Sequence, residues 1–210
     1  ALILALVLLL TVTGCAGNDT PDTSASSSTP ETSGTQSTAP SSSSTEPTDN
    51  TAGTADTESA AILRKIWDAV DEKDRFAAYG GTVEHSVENA PGDLDMTNTE
   101  ELTAKYMIPE DQLPNLQQGA SLVHMMNSNI FTGCAFKLAQ GADGKTVAKA
   151  IRDHLQKVNW ICGQPDRLMI ALVQDHLLMA FGKQMLMQGI QGKLTEVYPD
   201  AQMLYNEAVT

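Results

Sequence analysis

The sequence predicts an α+β fold: a mostly antiparallel sheet of two hairpin-like strand pairs, packed with helices in the order α-α-ββ-α-ββ-α, after a disordered tether. Three observations predict it. Apolar residues recur at three- and four-residue spacings in Glu58–Ala77, Lys145–Val158 and Lys183–Val197, the period of an amphipathic helix. Short β-like runs come in two pairs, Gly119–Met126 with Asn129–Leu138 and Leu168–Val173 with Leu177–Phe181, each pair joined by a few polar residues. The long stretch from Ala16 to Thr57 has no Leu, Ile, Val, Met or aromatic residue, so the fold is confined to the residues after Thr57.

In chain order, the first helix presents Ile62, Leu63, Ile66, Trp67 and Val70 on one side and Arg64, Lys65, Asp68, Asp71 and Glu72 on the other, with Gly80-Gly81 as its stop. Thr82 to Asp95 is polar and contains Pro and Gly, which reads as loop with room for one short strand. Thr97 and Glu100 have capping-box spacing and open a short helix through Met107; Ile108-Pro109-Glu110-Asp111 starts another turn. The first strand pair breaks at Asn127-Ser128-Asn129, and Gly141-Ala-Asp-Gly144 is a turn. The next helix lines up Val147, Ala148, Ile151, Leu155 and Val158. The second pair is a tight hairpin across Gln174-Asp175-His176, and the closing helix stops before Pro199. Helices on one face of the sheet complete the expected sandwich.

The N-terminal segment speaks to location. Ala1 to Leu10 is uninterrupted and aliphatic, and Val12-Thr13-Gly14-Cys15 comes almost at once. As a helix the run spans roughly 15 Å, about half a bilayer's hydrocarbon core, which suits a signal-peptide h-region and not a membrane span. Val12, Thr13, Gly14 and Cys15 resemble the lipobox of a bacterial lipoprotein, with Cys15 lipidated; its two acyl chains stabilise anchoring by about 0.8 kcal/mol per buried CH₂. The expected organisation is a lipoprotein signal peptide over 1–14, truncated at its start, a lipidated Cys and acidic tether over 15–57, and one α+β domain over 58–210. About half of the tether is Ser or Thr, and as a flexible coil it would reach on the order of 35–40 Å. Asp19, Asp22, Glu31, Glu46, Asp49 and Asp56 give the tether −6; the chain carries −13, which leaves −7 on the domain. With no basic cluster, nucleic acid and anionic headgroups are poor partners.

Tyr106-Met-Ile-Pro-Glu-Asp111, Met125-Met126-Asn127, the strand to Leu138, Asp143-Gly-Lys145 opening a helix, and the late hairpin together resemble the clostridial lipoproteins grouped as domain of unknown function 4358. The resemblance covers roughly Ile62 to Tyr198 and departs at Cys134, Cys162 and the Met-rich closing segment. It implies a surface-anchored lipoprotein of unestablished activity and brings no catalytic residues.

The residue constellations that could carry chemistry are sparse. Gly144-Lys145-Thr146 misses the phosphate-binding loop, whose first Gly position is Ala139 here, and reads as a turn into a helix capped by Asp143. Asp93, Asp95, Glu100 and Glu101 invite a calcium reading, but the bending Gly that such a loop needs is missing between Asp95 and Glu101. His124, Met125, Met126 and His176, with Met169, Met179, Met185 and Met187, are the weak candidates for a soft Cu(I) site; Met125 and Met126 alternate faces on a strand, and helical Met is ordinarily core. Cys134 and Cys162 are a candidate disulfide closing about 28 residues, worth roughly 3–4 kcal/mol, against a simply buried Cys134. His85, His124, His154 and His176 are scattered, His154 reads as a partly exposed helix-surface residue, and no triad assembles.

The expected role is therefore a non-catalytic, extracytoplasmic binding module on the cell membrane, without a cofactor. It would be held in the bilayer by acylated Cys15 and bind an envelope protein, peptide or cell-wall component. A copper or small-ligand carrier and a cell-envelope hydrolase are the alternatives.

Overall fold

Among the described residues, eight strands form one sheet in the order β2-β1-β4-β5-β7-β6-β8, with β3 paired to β4 off this path, and every pairing is antiparallel. The strands are β1 (Ala78–Gly81), β2 (Ser86–Glu88), β3 (Gly92–Asp93), β4 (Leu116–His124), β5 (Phe131–Leu138), β6 (Arg167–Val173), β7 (His176–Gly182) and β8 (Gln202–Ala208). The helices are α1 (Glu58–Ala69), α2 (Thr99–Ala104), α3 (Gly144–Leu155) and α4 (Gln184–Val197). The computed structural model describes residues 56–126, 131–161 and 163–210. The signal segment and nearly all of the tether lie outside the described residues, as does Cys162.

The α+β class and the antiparallel sheet are as the sequence predicts, but the helices cover both faces and not one. α1 and α4 pack with Ala120, Leu122, Phe131, Ala135, Met169, Ala171, Leu178 and Ala180. The residues alternating with these, among them Val123, Cys134, Phe136, Leu168, Ile170, Leu177, Met179 and Phe181, pack with Leu102 of α2 and with Val147, Ala148, Ile151 and Leu155 of α3. The two sets point to opposite sides because side chains alternate along a strand. Every residue of β7 is buried, as a central strand between two helical layers must be. Burying one side chain such as Ile66 or Ile151 completely contributes about 1.5–3 kcal/mol.

α1 is shorter than its apolar period suggests. Thr57 caps it by accepting from the Ala60 N–H at 3.2 Å, and the helix ends at Ala69 with Val70 extended. A single 3₁₀ turn, Glu72–Asp74, comes next, and Ala78 and Tyr79 then pair with His124 and Val123. The sheet ladder overrides the helical reading of residues 70–77. Gly80-Gly81 is thus no helix stop but part of β1. A Cβ on Gly80 would lie 2.2 Å from the Gly92 nitrogen and 2.3 Å from the Ser121 carbonyl oxygen, so glycine lets β1 and β3 converge on β4.

Two further local readings shift. Asn98, not Thr97, caps α2, accepting from the Glu101 N–H at 3.1 Å, while Thr97 donates to the Asp95 carboxylate through its N–H and its hydroxyl. β8, which the sequence reading leaves unassigned, adds to the outer edge of β6. The outer edge of β8 is in turn partly covered by side chains: Val209 donates its N–H inward to Asp166, so Ala208 and Thr210 face outward. Gln156, the residue that ends α3, donates to the Ala208 carbonyl at 2.8 Å and accepts the Thr210 N–H at 2.8 Å. Arg167 donates to the Asn206 carbonyl at 3.0 Å. These bonds occupy backbone groups that an edge strand otherwise offers to another chain. As expected, Asp143 caps α3 through the Lys145 N–H, and the Gly144-Lys145-Thr146 stretch is a turn entering a helix.

Candidate functional site

A fully buried polar arrangement lies where α2 ends against β1 and β4. Tyr106 and Ser121 are fully buried, and their hydroxyls are 3.1 Å apart. The Tyr106 hydroxyl donates to the Gly81 carbonyl at 3.1 Å, and the Gly81 N–H donates to Ser121 Oγ at 3.1 Å. A tyrosine hydroxyl has one proton, so Ser121 completes the set by donating to Tyr106. All these buried polar groups are paired, which makes the network a structural tie.

Beside this tie, the Lys105 ammonium sits over the rings of Tyr106 and Tyr79, 4.9 and 5.2 Å from their centroids, and bonds Glu101 at 2.9 Å. Burial opposes its charge, but the contacts with Tyr106 and Glu101 prevail and raise its pKa to about 12. Burial, with nearby Cys134, pushes the Tyr106 phenol up to about 12 as well. Cys134 lies directly across the ladder from Ser121. It is a free, fully buried thiol whose pKa is driven up by that burial, and its candidate disulfide partner Cys162 lies outside the described residues.

On the solvent side of α2 an open recess of about 720 Å³ is walled by Thr82, Glu84 and His85 of the β1–β2 connection and by Asp95, Asn98 and Glu100 at the start of α2. Hydroxyls, an amide, an imidazole and carboxylates line it, which suits hydrogen bonding to a polar partner. Its carboxylates are in part committed. Asp95 is held below the usual carboxylate range by its bonds to Thr97, and Glu101 is paired with Lys105. Asp93, another member of the acidic group, accepts from Thr57 at 2.5 Å.

The histidines and methionines singled out in the sequence do not come together. His124 and His176 belong to opposite ends of the sheet: Val123 is opposite Thr132 and Thr132 opposite Phe181, whereas His176 is opposite Lys137. Five to six residues of strand separate the two levels, about 17–20 Å. The His124 ring stacks on Phe76, its centroid 5.1 Å away, and its Nδ1 accepts the Met126 N–H at 3.1 Å; burial lowers its pKa. β4 ends at His124, so Met125 and Met126 do not alternate on a strand as expected but come after it, both exposed. Met169, Met179 and Met187 are buried, whereas Met185 is 84 % exposed and is not the core residue its helical position suggests. His154 lines a shallow recess with Thr99, Pro109 and Glu110, and His85 lines the recess at α2. Among the described residues no three His, Cys, Asp or Glu side chains converge in a metal-binding group.

His176 is buried, with Nδ1 2.8 Å from Asp175 Oδ1 and Nε2 without a partner. It lines a cleft of about 280 Å³ with Glu58, Ile62 and Lys65 of α1, Gln174 and Asp175 of the hairpin turn, and Tyr198. Lys137 bonds Glu58 and lies 3.7 Å from Asp175 at the same end of the sheet.

The Tyr106–Ser121 tie, Lys105 and the α2 recess escaped the sequence reading. One signal was present: Ser121 is a lone hydroxyl inside the apolar run Ala120–Val123, and a buried hydroxyl needs a partner. No family model matches the chain, and no curated protein and no solved structure matches it.

Proposed function

We propose that this chain is a membrane-anchored extracytoplasmic lipoprotein whose α+β domain is a non-catalytic binding module. The observation that carries the reading is the succession at the N-terminus. An aliphatic run closes on Val12-Thr13-Gly14-Cys15, a stretch without Leu, Ile, Val, Met or aromatic residues comes next, and one domain lies after it. The lipid on Cys15 holds the protein at the membrane, and the acidic tether carries the domain away from it. The resemblance of residues 62–198 to the lipoproteins of domain of unknown function 4358 points the same way. The recess between the β1–β2 connection and the start of α2 is the face we assign to the partner, an envelope protein, peptide or cell-wall component, because it combines open volume with hydrogen-bonding side chains.

The test has two arms in a bacterial host. Metabolic labelling with a palmitate analogue is expected to mark the full chain and not C15A, and C15A is expected to leave the membrane fraction. Equal labelling of C15A overturns the anchor. A photo-crosslinker at Glu100 is expected to trap one envelope component that the same probe at Met185 does not, and equal patterns overturn the assignment of the recess.

A further inference from the structure

We draw no further inference here: the strongest candidate, the Asp175–His176 pair in the cleft between α1, the β6–β7 turn and Tyr198, carries nothing, because the unpartnered Nε2 of His176 is itself closed to solvent and nothing in the structure shows what would occupy the cleft beside it.

Discussion

Tyr106 and Ser121, fifteen residues apart in the chain, meet hydroxyl to hydroxyl at 3.1 Å in a site closed to solvent, and both bond the backbone of Gly81. One small network thereby joins the residues after α2 to β1 and β4. Its members are fully paired, so removing one leaves another buried and unsatisfied.

Tyr106→Phe strips the Gly81 carbonyl and the Ser121 hydroxyl of a partner, and Ser121→Ala strips the Gly81 N–H. Each is expected to cost about 1–3 kcal/mol in urea denaturation. The double variant is expected to cost less than the sum, with a coupling of about 0.5–3 kcal/mol. Additive losses, or losses near zero, would contradict the network.

Lys105 and Tyr106 set an alkaline limit. The folded values of both are about 12, against ordinary values of 10.5 and 10.0. Each group therefore holds its proton more tightly folded than unfolded. The stability this confers is complete below about pH 10 and is lost as pH rises through about 12. Urea midpoints are expected to fall over that window and to fall less steeply in Tyr106→Phe. A flat profile in the parent protein would refute the assignment.

Two glycine replacements should move stability in opposite directions. Gly80→Ala drives a Cβ into the backbone of Gly92 and Ser121 and is expected to cost more than about 4 kcal/mol, or to prevent folding. Gly189, in α4, has open space around the place a Cβ would take. Gly189→Ala is expected to stabilise by about 0.5–1 kcal/mol, read as a raised urea midpoint. A Gly80→Ala variant as stable as the parent would show that β1 and β3 do not converge as described.

The Cys134 thiol is buried and its ionisation suppressed. Iodoacetamide is expected to spare Cys134 in the folded protein and to alkylate it once urea is added, as read by peptide mass spectrometry. Fast modification without denaturant, or a Cys134–Cys162 peptide in the non-reduced digest, would count against a buried free thiol.

On the acid side, Arg152 bonds Glu207 and Asp153, tying α3 to β8; it holds the Glu207 carboxyl below its usual range, and Lys149, with Arg152, does the same for Asp153. Depressed carboxylates stabilise above their unfolded pKa and lose that contribution as pH falls. Glu207→Gln is expected to flatten the decline in stability below about pH 4.5, by a small amount because the pair faces solvent. An unchanged acid limb in thermal melts would remove Glu207 from the account.

Much of the fold was legible because its signals are local. The cap at Asp143, the apolar stripe of α3 and the hairpin turn at Gln174-Asp175 are fixed within a few residues of chain. Leu168–Val173 and Leu177–Phe181 read as strands because they are short apolar runs flanking a polar turn. The strands at the margins were not legible. Gly80-Gly81 carries a breaker signal and becomes β1 only because β4 is there to pair with it. Gln202–Ala208 has a mixed pattern and becomes β8 because the edge of β6 is open.

The candidate site was less legible than the fold. His124, Met125 and His176 are suitable residue types, but register places the two histidines at opposite ends of the sheet. The pairing of Ser121 with Tyr106 was not legible because the two lie fifteen residues apart in the chain.

By itself, then, the sequence determined the α+β class, its three long helices, the two strand pairs and the acidic balance. Each depends on hydrophobic period, turn chemistry or composition, which act over a few residues. Only the tertiary structure decided that helices cover both faces, that β1 and β8 extend the sheet, and that Tyr106, Ser121 and Gly81 close one network. The physical reason is that a ladder bond or a buried hydroxyl is satisfied by whatever distant segment folding brings against it.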